Sequence, residues 1–307
     1  MDMGYKRVTM NGTICLDERF STTRRLVLLD PGAPGHPLVA RPGVLCGGLR
    51  SRGFAKCPAA DYPLLTVVTV VRNDGPGLKK TIESVSGQTY PNIEYIVIDG
   101  GSTDATRSVL QEYDHLVDFW QSEPDAGIYD AMNKGLALAG GEWISFMNAQ
   151  DYFYQADSVQ KALTGVPADS DFIYGHTYFL GGDAVGVVKA LGFERLWRTM
   201  IFTHQALFTR TALLKERPFD TGFKICADYN FIFNAYMTGK KFFHSGQVIA
   251  CFSPGKSEIS RARMAYEKWR VVRRFRHDFT FHWFYLRLFI KRLFRDIFRR
   301  FKPVGGG

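Results

Sequence analysis

Polar and acidic residues stand directly behind several strongly apolar runs of this chain. Arg72-Asn73-Asp74 follows LLTVVTVV (64–71), Asp99 closes EYIVID (94–99) and leads into Gly100-Gly101-Ser102-Thr103-Asp104, and Asn148-Ala149-Gln150-Asp151 follows EWISFM (142–147). Carboxylates gathered at one edge suit a polar ligand that comes with a metal. They accept hydrogen bonds from a nucleotide, and Mg2+ or Mn2+ binds carboxylate and phosphate oxygen, with one or two protein carboxylates sufficient for Mg2+. The glycine patterns of a dinucleotide site or a P-loop are absent after the first run. Asp74, Ser102 and Asp104 serve equally well as helix caps. Asp99 and Asp151 have weaker structural explanations, because each closes a strongly apolar strand.

The elements that must position these residues are legible. Continuous β-branched runs at 64–71 and 94–99 predict strands buried on both faces of a parallel sheet. Helical spacing at 78–85, 105–113 and 127–139 alternates with them, and 117–122 and 142–147 add two further strands. Strand and helix in alternation predict a doubly wound α/β sheet, whose ligands bind beyond the carboxyl ends of the strands. Beyond Asp151 the pattern loosens, with strands expected near 172–174, 185–190, 203–209 and 241–250 and a helix at 229–238. Within 127–139, Ile128, Met132, Leu136 and Ala139 fall at core-facing spacing, and Asp130 and Lys134 form an i,i+4 pair.

The chain has 307 residues, 46% of them hydrophobic, which excludes disorder throughout. Its 39 Lys and Arg against 30 Asp and Glu give a net charge of +9. Residues 261–302 contain fourteen of those cations and three acids, leaving a body with 25 cations and 27 acids. The charge therefore belongs to one end. Five irregularly spaced cysteines without a C-x-x-C pair indicate reduced thiols. No run reaches the ~18 apolar residues of a spanning helix, and the expectation is a cytoplasmic protein. Residues 1–62, rich in Gly, Pro and Arg, are expected to be a poorly ordered extension.

The segments TVVTVVRND, IEYIVIDGGSTDAT, SEPDAGIYDAMNKGLALAGGEWISFMNAQD, THQALFTR and FDTGFKICADYNF together resemble glycosyltransferase family 2, with the bacterial exopolysaccharide and colanic-acid type as the nearest subgroup. The resemblance covers about residues 63–256. It implies a GT-A fold, an inverting mechanism, a nucleotide-diphosphate sugar donor (a UDP-sugar favoured) and a saccharide or polyprenyl-linked acceptor in cell-surface polysaccharide synthesis. Carried over, it makes Asp99 an acceptor for the nucleotide base and places Thr69, Val71 and Arg72 along the same pocket. Asn148 and Asp151 occupy the D-x-D metal motif, Asp151 being its remaining acid, and a divalent cation, Mg2+ or Mn2+, is implied. Because Asn148 replaces the first acid, the metal relies more on the donor's own diphosphate. Asp228 matches the catalytic base, although it also reads as a cap of the following helix. His204 and Gln205 match a polar pair near the donor phosphates and the acceptor, and Asp125 and Asn133 are candidates for donor-sugar contacts. His176 stands where this subgroup often carries an acid.

Residues 259–307 read as a basic amphipathic helical tail after a transferase domain at 63–258. Leu286, Phe289, Ile290, Leu293, Ile297 and Phe301 share a stripe flanked by Phe294 and Phe298, with Arg287, Lys291, Arg292, Arg295 and Arg299 around much of the rest. Such a helix suits the interface of an anionic membrane, here its inner face, or packs on the body or a second copy. No recognition motif for nucleic acid accompanies the charge. Two other readings compete. A sugar nucleotidyltransferase requires a Gly- and Arg-rich loop with a Lys after the first strand, which RNDGPG does not supply. A catalytically weak sugar-nucleotide-binding scaffold draws some support from Asn148 but leaves Asp99, Asp151 and Asp228 unexplained.

Overall fold

The computed structural model describes residues 13–28, 43–181, 184–254 and 260–300. Four short strands come first: β1 (Thr13–Ile14), β2 (Leu26–Leu28), β3 (Leu45–Gly47) and β4 (Phe54–Lys56). The α/β body then runs β5 (Leu65–Val71), α1 (Gly75–Ser86), β6 (Ile93–Asp99), α2 (Thr106–Glu112), β7 (Phe119–Ser122), α3 (Ile128–Leu138), β8 (Trp143–Phe146) and β9 (Tyr152–Phe153). It continues through α4 (Ser158–Leu163), β10 (Phe172–Gly181), β11 (Ala184–Val188), β12 (Leu207–Arg210), α5 (Thr211–Glu216), α6 (Ala227–Met237) and β13 (Phe242–Phe252). Two helices close the chain, α7 (Arg261–Val272) and α8 (Phe279–Arg300).

Among the described residues, ten strands make the main sheet, in the order β3-β7-β6-β5-β8-β12-β10-β13-β9, with β11 on β10. β7, β6, β5 and β8 are mutually parallel, and every residue of β5 and β6 is buried. Their continuous apolar runs follow from that two-sided burial. The chain moves outward from β5 to β6 and β7, then returns to pair β8 on the other side of β5. That reversal opens a crevice at the carboxyl ends of β5 and β8, where such sheets bind ligands. Two non-glycine residues with left-handed backbone, Asn73 (φ 53°) and Gln150 (φ 78°), stand just past these two strand ends. Gln150 Nε2 donates to Asp74 Oδ2 at 2.7 Å and ties the two turns together.

The N-terminal expectation is corrected. Residues 13–28 and 43–62 are structured, with β1, β2 and β4 forming a small sheet and β3 extending the main sheet by pairing with β7. Leu26, Leu49 and Phe54 bury one another, and Ser21 Oγ donates to the carbonyls of Val85 and Ser86 at the end of α1. Short elements spaced by Gly and Pro carry little periodicity of their own, so tertiary contacts fix them. Residues 1–12 and 29–42 lie outside the described residues.

The C-terminal helices also differ from a free tail. α7 packs on α6, while Phe281 and Tyr285 of α8 are fully buried in the body, Tyr285 Oη donating to the Trp197 carbonyl at 2.5 Å. The opposite face of α8 exposes Phe279, Trp283, Leu286, Ile290 and Phe294. This exposed stripe is rotated from the expected one: Phe279 and Trp283 join it, and Phe289 is half-buried. The side chains of Leu293, Arg295, Ile297, Phe298, Arg299 and Phe301 lie outside the described residues. Among the described residues, no helix is long and apolar enough to cross a membrane.

Candidate active site

A cavity of about 1270 Å3 opens at the carboxyl ends of β5 and β8, roofed by the segments before β12 and α6 and by α7. Val71, Arg72, Asp125, Asn148, Asp151, His204, Gln205 and Asp228 all line it. Residues far apart in the sequence thus meet on one surface, because strand ends and helix starts converge there.

Asp151 is 3% exposed and sits in the turn after β8. Its Oδ2 accepts from Gln205 Nε2 at 2.7 Å and its Oδ1 from the Ser253 N–H at 3.0 Å. Burial is the main cause of a pKa raised to about 6, partly countered by these two donors and by His204 and Lys80. Close by, Asn148 Oδ1 and Gln205 Oε1 are buried without a hydrogen-bond partner. Orphaned amide oxygens are costly, and a hard cation would satisfy them. One carboxylate with neutral oxygens fits a divalent ion completed by substrate phosphates. Among the described residues, no three His, Cys, Asp or Glu side chains gather around a common point, so such an ion would depend on the ligand's own oxygens.

Asp228 lies in the first turn of α6, where the helix dipole favours a carboxylate. Its Oδ1 accepts from the Tyr229 N–H at 2.8 Å and from Tyr129 Oη at 2.9 Å. His204 Nδ1 approaches Oδ2 at 3.5 Å. Burial raises the pKa of this carboxyl, but His204, the Tyr229 N–H and Tyr129 outweigh it and hold the group below the ordinary carboxylate value. On its other side, His204 Nε2 meets Asn148 Nδ2 at 3.1 Å. With Asn148 donating, Nε2 accepts and the ring hydrogen on Nδ1 faces Asp228. A polar chain therefore runs from the β8 turn through His204 to Asp228.

Three expected contacts fall elsewhere. Thr69 is fully buried, with its hydroxyl 2.9 Å from Tyr95 Oη, one pleat below the open end of β5. Asn133 spends both ends of its amide on Phe219, donating to its carbonyl at 2.8 Å and accepting from its N–H at 3.0 Å. Asp99 is 0% exposed, and its carboxylate accepts from the Ser102 N–H and from the hydroxyls of Ser102 and Ser122. All three are absent from the cavity lining; Asp99 shapes the 100–104 turn behind it, where Gly100 abuts Asp125 Oδ2. His176 also stays outside the lining, accepting from the Ala190 N–H beside His244. Ile128, expected in the core, is exposed at the cavity mouth, whereas Met132, Leu136 and Ala139 are buried. The pair Asp130–Lys134 is present at 3.6 Å, but Lys134 lies nearer Glu123, at 2.9 Å.

The sequence reading missed Tyr129, Glu267 and Lys268. Glu267 is 1% exposed on α7, and its carboxylate accepts from the N–H groups of Lys224, Ile225 and Cys226 at 3.1, 2.9 and 3.0 Å. It satisfies the backbone donors that lead into α6 and so fixes the segment carrying Asp228. A lone acid in a basic run gave one signal for it, since a charge kept among apolar spacing needs a partner.

The fold and site define a GT-A-type α/β protein with a polar crevice, lined by both carboxylates and cations, at its topological switch. Residues 66–228 match the model of glycosyl transferase family 2, and the chain belongs to that family. A glycosyltransferase of Mycobacterium tuberculosis is 37% identical over 180 residues, covering 56% of this chain and 69% of the relative. The PGL/p-HBAD biosynthesis glycosyltransferase of Mycobacterium bovis is 30% identical over 182 residues, covering 55% and 68%. Among solved structures, S. aureus TarS 1–349 with UDP-GlcNAc superposes with a TM-score of 0.55 at 18% identity, covering 76% of this chain and 73% of TarS. The mannosyltransferase PcManGT of Pyrobaculum calidifontis, with GDP-Man and Mn2+, gives 0.55 at 19% identity, covering 74% and 69%. These structures share the fold.

Proposed function

We propose that this glycosyltransferase moves a sugar from a nucleotide-diphosphate donor, with inversion, to a lipid-linked or saccharide acceptor in cell-surface polysaccharide or glycolipid synthesis. The observation that carries the reading is the placement of Asp228 and Asp151 on one cavity, joined through His204 and Asn148. An inverting transfer needs a base for the acceptor hydroxyl on one side of the anomeric carbon and charge compensation for the leaving diphosphate on the other. Asp228 supplies the base, kept ionised by its donors and oriented by Tyr129 and the α6 N-terminus. Asp151, with Asn148, would hold a divalent cation, which when bound neutralises charge on the diphosphate. Arg72 and Asp125 line the donor end, and Asp99 acts behind it by setting the turn. The nucleotide sugars in TarS and PcManGT, and the Mn2+ in the latter, support donor and cation. The M. bovis relative's name supports a glycolipid acceptor.

The exposed stripe of α8, with Arg287 and Lys291 beside it, supports attachment at the inner membrane face in the manner of an interfacial helix. The transferase unit then extends past residue 258, since α7 lines the cavity. A donor screen reading nucleoside-diphosphate release, with and without Mn2+, tests the function. Release from one nucleotide sugar is expected, and Asp228→Asn should lower turnover by about 10²–10⁴-fold with UDP binding retained. Turnover near wild type in that variant would remove Asp228 from the role of base.

A further inference from the structure

One cation on the cavity wall has no hydrogen-bonded or ion-paired counterpart among the described residues. Lys268 of α7 is 8% exposed and lines the cavity, yet among the described residues its ammonium has no hydrogen-bond acceptor and no ion-pair partner. Its neighbour is the face of Tyr229, whose centroid lies 5.3 Å from Nζ. A desolvated ammonium is costly unless an anion pairs with it. The nearby carboxylates are committed elsewhere: Glu267 to three backbone N–H groups and Arg263, Asp228 to Tyr229, Tyr129 and His204. Arg292 is close enough to repel Lys268 further. An anion supplied by a ligand would compensate it.

Position decides which ligand. Lys268 stands over the ring of Tyr229, the residue after Asp228, whereas Asp151 is met by Gln205 and the Ser253 N–H. Lys268 therefore stands on the Asp228 side of His204, with Asn148 and Asp151 on the other side, where the diphosphate is proposed to sit. The group approaching Asp228 is the acceptor. Lys224 and Arg263 line the same end, and α7 leads through a short turn to α8, whose outward face is apolar. From these observations, and resting on the transferase reading above, we infer that Lys268 is a phosphoryl subsite for the acceptor, a lipid phosphate presented at the membrane surface that the α8 stripe is proposed to contact. An ammonium is a suitable point-charge partner for a phosphate.

The test uses the full chain, farnesyl phosphate as a soluble lipid phosphate, farnesol as its uncharged control, and UDP with Mn2+ for the donor end, measured by titration calorimetry. Wild type should bind farnesyl phosphate and not farnesol. Lys268→Met should weaken farnesyl phosphate by about tenfold or more and leave UDP within about twofold, while Lys268→Arg retains both. The Met variant should also melt higher than wild type, because it removes an uncompensated buried charge. Loss of UDP with farnesyl phosphate unchanged assigns Lys268 to the donor's diphosphate and overturns the inference. So do equal binding of farnesol, no binding of farnesyl phosphate by wild type, or a lower melting temperature with both ligands unaffected. Wild type that binds farnesyl phosphate through Lys268 but never binds UDP sinks the transferase reading and leaves the subsite standing.

Discussion

His204 Nδ1 lies 3.5 Å from Asp228 Oδ2, and the same ring touches Asn148 through Nε2. The imidazole thereby couples the carboxylate proposed as base to the turn proposed to hold the cation. Neither partner is near the other in sequence, and the 3-10 turn at His204–Ala206 presents the ring between them.

This contact sets a pH dependence. Asp228 is held below the ordinary carboxylate value of ~3.9, so kcat/KM should have no acidic limb from this group above about pH 4. His204→Ala removes a donor, raises the Asp228 pKa and should move an acidic limb upward, with kcat lowered by about 10–100-fold. The sign holds for stability too: a depressed carboxyl stabilises the fold above its unfolded pKa, and that contribution is lost as pH falls through the folded value. A profile from pH 3.5 to 8 for both proteins checks it, and identical limbs would separate His204 from Asp228.

Asp151→Ala should weaken Mn2+-dependent UDP binding by about 10–100-fold, with little change in metal-free binding. Titrating Mn2+ against UDP affinity measures this. Asn148→Asp, which adds a second acid beside the orphaned oxygen, should tighten the metal requirement. An Mn2+ titration of Asp151→Ala that overlays wild type rejects the ligand role.

Glu267 ties α7 to the entry of α6. Glu267→Ala leaves three N–H groups, that of Cys226 buried, without their acceptor and should cost about 2–4 kcal/mol in denaturant unfolding, whereas Glu267→Gln keeps one acceptor and should cost less. Turnover should fall more than UDP affinity, because the loosened segment carries Asp228. Unfolding midpoints equal to wild type would show that the clamp contributes nothing.

The outward face of α8 is separable from its docked face. Replacing Trp283, Leu286 and Ile290 with Gln leaves Phe281 and Tyr285 in place, so the melting temperature should hold. Co-sedimentation with vesicles containing about 30% phosphatidylglycerol should drop several-fold, since binding scales with buried apolar area. Added salt should weaken wild-type binding by screening Arg287 and Lys291. Undiminished sedimentation of the triple variant rules out the stripe as the membrane contact.

The sequence by itself determined the parallel centre of the sheet and the strand-end location of the site. Period and apolar continuity are local properties, and β5, β6, β8 and the residues after them, Arg72 and Asn148 to Asp151, follow from them. It also placed Asp228, His204 and Gln205 through a family resemblance carried by short motifs. Tertiary structure alone decided which polar residues face the cavity. Thr69 and Asn133 look as available as their neighbours until Tyr95 and Phe219 take their hydrogen-bonding groups. Asp99 closes a strand as a ligand-binding acid would, yet Ser102 and Ser122 saturate it. The reverse holds at the C-terminus, where a basic amphipathic run reads as a separate tail. Its first helix nevertheless supplies Glu267 and Lys268 to a site more than thirty residues upstream. A local pattern fixes the face an element presents; the partner that fills or leaves open each polar group comes from chain folded back across it.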